Sequence, residues 1–92
     1  MMNKPEIIDR LLKRDQLYFS KLYTQYEDML KNTAIKLTGS EINAENLLFV
    51  TFKKLWESPH SFAASNDQLI STYLMKQIVY NHLYDQRKQK AR

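Results

Sequence analysis

The chain has 92 residues, 43% of them hydrophobic, with one glycine, two prolines and no cysteine, which excludes disulfide staples and thiolate metal sites. That length supports a single domain with one modest core. A formal charge of +4, from 14 Lys and Arg against 10 Asp and Glu, leans mildly towards polyanions, and no apolar run nears the roughly 20 residues of a membrane span. The first ten residues, MMNKPEIIDR, lack the apolar centre of a signal peptide, so a cytoplasmic protein with no membrane partner is expected. Turn residues are too scarce for a β-rich fold, so the expected fold is all-α, a compact bundle of three to four helices.

Residues 3–13 predict a short first helix. Pro5 is tolerated in its first turn, and Ile7, Ile8, Leu11 and Leu12 form its apolar stripe. Asp15 can cap a second helix from Gln16 to Leu37. There Phe19, Leu22, Tyr23, Tyr26, Met29, Leu30 and Leu37 recur at helical spacing. Gly39 stands where a left-handed residue ends a helix. Tyr18, Tyr23 and Tyr26 read as core or half-buried packing in preference to a surface patch.

After a corner at Ser40–Ile42, Asn43 is expected to cap a central helix that ends near Glu57. Ala44, Leu47, Leu48, Thr51 and Leu55 line one face. Phe49 and Trp56 share a second stripe, and Val50 lies on another side. A helix apolar on several sides, in so short a chain, predicts that part of it meets another molecule. Ser58–Gln68 is expected to be non-helical, because Pro59 disfavours helix at Ser58, with Phe62 tucking the loop onto the body.

Asn66 or Asp67 can cap a last helix from Gln68 to Gln89. Its inward face is expected to be Ile70, Leu74, Gln77, Ile78, Asn81 and Asp85. A buried Asn81 and Asp85 require hydrogen bonds, and a polar clamp between helices is the expected arrangement. Beside that face runs a tyrosine stripe, Tyr73, Tyr80 and Tyr84, which suits either a core edge or stacking on unpaired bases. Residues 1–86 hold ten cations and ten acids. The whole net charge therefore lies in Arg87, Lys88, Lys90 and Arg92. That tail reads either as a solvated end or as a basic arm for nucleic acid.

No residue set points to catalysis. His60 and His82 stand in a loop and on a helix, without metal-ligand spacing or a nucleophile. No glycine-rich phosphate loop is present. Neither an enzyme, a metal nor a cofactor is expected.

The order of the pieces resembles region 2, the N-terminal domain, of bacterial RNA polymerase sigma factors of the extracytoplasmic-function group, over about residues 15–90. Phe19-Ser20-Lys21-Leu22-Tyr23 with Tyr26 is similar to that family's opening helix. Asn43-Ala44-Glu45-Asn46-Leu47 resembles its D-A-E-D-L segment, and Phe52-Lys53-Lys54-Leu55-Trp56 its F-x-x-L-W helix end. Tyr73-Leu74 and then Ile78, Asn81 and Asp85 resemble its last helix. The resemblance implies a transcription initiation domain. It would dock on the β′ coiled coil of core RNA polymerase and recognise the minus-ten promoter element as separated, non-template DNA. An anti-sigma factor is a further partner it allows.

By the same resemblance, Asn46, Phe49, Val50 and Lys53 would meet the polymerase. His60, Ser61, Asn66, Tyr73, Lys76, Gln77, Tyr80, Arg87 and Lys88 would meet DNA. Tyr73 and Tyr80 would stack on bases, Lys76, Arg87 and Lys88 would contact phosphate, and Gln77 would make polar base contact. The segment Ser58–Gln68 would capture a flipped base. Residues 1–92 form the one domain expected, with a basic tail at 87–92. The family's second domain, a helix-turn-helix called region 4, is not in this chain. Asn46, Phe49 and Val50 replace the family's usual Asp, Gln and Glu. That departure motivates an alternative, a sigma-like interaction or oligomerisation module that has lost ordinary polymerase docking. A general basic DNA-binding bundle, with no preference for single strands, is a third reading.

Overall fold

The first four helices begin where a side chain or a proline relieves the unpaired N–H groups of the first turn. The computed structural model describes residues 3–90, with side chains as far as Arg87. Helix α1 spans Lys4–Leu12. The Asn3 side chain accepts from the Glu6 N–H at 2.9 Å, and Pro5 falls in the first turn. Helix α2 spans Gln16–Thr38 and is capped by Asp15, whose carboxylate accepts from the Tyr18 N–H at 3.0 Å. It ends at Gly39, with φ 70° and its N–H bonded to the Ile35 carbonyl at 2.7 Å.

Helix α3 spans Glu41–Glu57 and starts earlier than expected. Ser40 is the cap in place of Asn43, its hydroxyl accepting from the Asn43 N–H at 3.3 Å. The expected corner therefore shrinks to Gly39 and Ser40.

The expected non-helical stretch Ser58–Gln68 contains a six-residue helix, α4, at Pro59–Ala64. Pro59 ends α3 at Ser58 as expected, and then occupies the first turn of the new helix. There its fixed φ is favourable and its missing donor costs nothing. Helix α5 spans Ile70–Lys90. Neither Asn66 nor Asp67 caps it. The Tyr73 N–H bonds to the Leu69 carbonyl, which places the cap at Leu69, and the Asp67 carboxylate is taken by Lys76 at 2.7 Å. The described residues are thus all-α, with α4 added to the four helices read from the sequence. No helix among them is long and apolar enough to cross a membrane.

Helices α2, α3 and α5 pack pairwise, while α1 rests on α2 and α4, and α4 on α3. The α3 stripe Ala44, Leu47, Leu48, Thr51 and Leu55 is buried, as its spacing predicts, together with Phe52. It faces Leu22, Leu30 and Ala34 of α2 and Ile70, Leu74 and Ile78 of α5. Two cations fasten the periphery. Lys4 donates to the carbonyls of Ser65 and Asp67, both at 2.8 Å, and its ammonium lies 5.0 Å from the centre of the Phe62 ring. Arg14, at φ 60°, donates to the Trp56 carbonyl at 2.6 Å and lies 3.8 Å from the Trp56 ring centre.

Phe62 is fully buried and is the large side chain that seats α4. Phe62→Ala is expected to cost about 3–5 kcal/mol in a denaturant melt, because the cavity cannot close without unseating α4. A loss under about 1 kcal/mol would show that α4 contributes little to the core.

Candidate nucleic-acid interface and docking face

On α5, residues 73, 77, 80, 84 and 87 follow one another at steps of four and three and so share one side of the helix. The fold divides this stripe. Tyr73 is only 6% exposed, because α4 covers the first turn of α5, and its ring centre lies 4.9 Å from that of Phe62. The expectation of an outward-stacking Tyr73 is thereby corrected. Tyr80 and Tyr84 lie beyond the cover of α4 and are 56% and 60% exposed. Arg87 continues the exposed stripe. The side chain of Lys88 lies outside the described residues.

A pocket of about 480 Å³ opens between the end of α3, α4 and the start of α5. Ser58, Ser61 and Ser65 line one side, Tyr73 and Gln77 another, and Lys54 and Glu57 stand on α3. Of the residues expected to meet DNA, it gathers Ser61, Tyr73 and Gln77. His60 and Asn66 are exposed and stand outside its lining. Lys76 is paired with Asp67 at 2.7 Å, so a neighbouring carboxylate already compensates its charge. Burial pushes the Tyr73 phenol above its ordinary range, and a hydrogen bond with Ser61 partly offsets that rise.

The expected polar clamp centres on Asn81, buried between α5 and α3. Its side-chain oxygen accepts from the Lys54 ammonium at 2.7 Å, and its amide nitrogen donates to the Thr51 hydroxyl at 3.1 Å. Thr51 in turn donates to the Leu47 carbonyl at 2.8 Å. Asp85, expected to be buried beside Asn81, is exposed. Residues 83–87 are all exposed, so the last turns of α5 extend beyond the cover of the other helices. Asp85 borders a separate polar hollow of about 320 Å³, with His82, Asn46 and Val50.

The four residues expected to meet polymerase form a ridge along α3. Phe49 is 62% exposed, Asn46 and Lys53 are exposed, and Val50 is half-buried. On one side of the ridge, Phe49 and Lys53 border a groove of about 420 Å³ floored by Phe19, Tyr23, Phe52 and Trp56. The rings there are in contact, with Phe19–Trp56 centres 4.9 Å apart and Tyr23–Phe52 centres 4.5 Å apart. Sequence reasoning missed Lys54, and it placed Tyr84 on the tyrosine stripe without counting it among the DNA contacts. Lys54 carries no local signal, since its partners are remote in sequence.

Residues 22–92 match the family model described as Sigma-70 region 2. No curated protein and no solved structure matches the chain. The family match begins inside α2 and leaves α1 outside it.

Burial raises the phenols of Tyr18, Tyr23 and Tyr73. Each is held neutral by the fold, while the unfolded chain starts to release these protons near pH 10. The stability they contribute is therefore complete below about pH 10 and falls as pH rises through the folded values. Denaturant midpoints measured from about pH 8 upward should fall past about pH 10, and the fall should be shallower in Tyr73→Phe. An identical fall in that variant would mean that Tyr73 is not shielded.

Proposed function

The chain belongs to the sigma-70 region 2 family, whose role is RNA polymerase binding and promoter melting, and we propose that it recognises the minus-ten promoter element by capturing unpaired bases of the non-template strand. The observation that carries this reading is one continuous face of α5. It begins at the pocket lined by Tyr73 and Gln77 and continues through the exposed Tyr80, Tyr84 and Arg87. A base leaving the duplex loses stacking and pairing. Aromatic surfaces offset that loss by about 1–3 kcal/mol per stacked base, and every base offers a π-face. Gln77 offers both donors and an acceptor to a base edge, and the Ser65 hydroxyl, whose proton goes to the Phe62 carbonyl, offers an acceptor. The work is binding, without covalent chemistry, in the cytoplasm where core polymerase resides.

The ridge Asn46, Phe49, Val50 and Lys53 is the proposed docking face for the β′ coiled coil. It would act through apolar contact where the family's pattern has carboxylates and amides. Phe49, exposed beside an aromatic groove, also favours a second reading, in which the same face joins two copies of the chain.

Fluorescence anisotropy with single-stranded and duplex forms of one promoter-like oligonucleotide tests the DNA reading. Preference for the single strand is expected, with Tyr80→Ala and Tyr84→Ala each weakening it by about 1–3 kcal/mol and Lys36→Ala leaving it unchanged. Equal affinity for both forms would sink the base-capture reading. Phe49→Glu should abolish co-elution with core polymerase while leaving single-strand affinity intact. Light scattering separates the two readings of the ridge: a monomeric wild type that binds polymerase excludes self-association through Phe49.

A further inference from the structure

Lys4 opens α1, where the helix dipole disfavours a cation, so its place is explained by what it reaches. The ammonium donates to the carbonyls of Ser65 and Asp67, both at 2.8 Å, and lies 5.0 Å from the Phe62 ring centre. Ser65 is the C-cap of α4, so one of those carbonyls stands at a helix end that favours positive charge. The segment so held, residues 65–69, has no regular structure and joins α4 to α5. Among the described residues its other side-chain tie to a neighbouring helix is the Asp67 carboxylate on Lys76, only nine residues away and with the lysine half-exposed. Without the Lys4 ammonium the segment keeps local restraints alone. Helix α1 would stay seated, because Ile7 and Leu11 anchor it in the core.

We propose that Lys4 is a positioning residue for single-strand capture: it fixes the backbone from Ser65 to Asp67, and with it the Ser65 wall of the 480 Å³ pocket, before a strand arrives. The inference rests on the reading of that pocket as a single-strand site. A wall already in place spares the strand the entropy of ordering it. A site formed only part of the time binds more weakly by that fraction. The tie comes from outside residues 22–92, the segment that matches the family, so it is a feature of this chain's own first helix.

The test is Lys4→Met in the full chain, which keeps an aliphatic stem beside Phe62 and removes the donors. Backbone NMR order parameters of residues 65–69 should fall from the rigid range, about 0.85, to below about 0.6, while those of α2 and α3 hold. Affinity for a labelled single-stranded oligonucleotide carrying all four bases should fall by about three- to tenfold. The slope of log affinity against log salt should equal that of Lys13→Met, which removes a charge from the end of the same helix. A direct phosphate contact by Lys4 would instead take about 0.7 off that slope. Lys4→Arg, which can also donate to two carbonyls, should restore both order and affinity. Wild-type affinity in Lys4→Met overturns the proposal, whether or not the segment loosens, and so does a reduced slope. Order lost throughout the domain would reduce Lys4 to a structural role and overturn it as well. A wild type with no preference for single strands over duplex overturns the pocket reading itself, so the two failures are told apart.

Discussion

A buried amide sets the terms on which α3 and α5 meet. Asn81 is enclosed in a surface made otherwise of Leu47, Leu48, Leu55, Leu74 and Ile78. Left unpaired there, its polar atoms would cost several times what one hydrogen bond contributes. Sliding α3 along α5 by one turn would keep apolar groups in contact, yet would part Asn81 from Thr51 and Lys54. The amide therefore selects one register where apolar packing alone would tolerate others. In that register Lys54, one turn past Thr51, reaches the pocket mouth, and Phe49 and Lys53 are turned outward as part of the ridge.

The same logic redistributes the positive charge. Counted on the sequence, it looks like a reservoir for polyanions. Among the described residues several of these cations are already occupied. Lys4 closes onto two carbonyls, Arg14 onto the end of α3, Arg10 onto Asp15, and Lys31 onto Glu41 and Glu45. Lys4 and Arg14 flank the segment that leads from α3 to α5, and both belong to the stretch before the family match begins. The α1 helix thus acts as a brace for the pocket wall, with Phe62 as the contact point on the other side.

Local chemistry was readable from the sequence and long-range cover was not. Helical spacing, the Asp15 cap and the left-handed Gly39 depend on neighbours within one turn, and α1, α2 and the buried face of α3 follow from them. The clamp at Asn81 was also foreseeable, since a polar residue on an apolar stripe must find partners. Proline is ambiguous, because the residue that stops one helix can begin the next. What decides it at Pro59 is Phe62 reaching the core and Lys4 tying down the following loop, contacts across some sixty residues. Tyr73 is hidden by that same helix, and so its burial was equally out of reach. Lys54 looked like any solvated lysine until Asn81, 27 residues away, was placed beside it.

The two proposed binding faces differ in kind, and the difference follows from their side chains. The α5 face joins exposed tyrosines and Arg87, so its affinity for a strand is carried partly by counterion release and weakens with salt. The α3 ridge offers Phe49 and Val50 beside an aromatic groove, with Lys53 as its one charge. Desolvation of apolar surface would drive the proposed docking there, with little electrostatic steering and little sensitivity to ionic strength. One small domain can then hold its protein partner under conditions that release the strand. Neutral side chains at positions 46, 49 and 50 favour that separation, since acidic ones would have made docking salt-sensitive too and added negative charge to a domain that must also accept DNA.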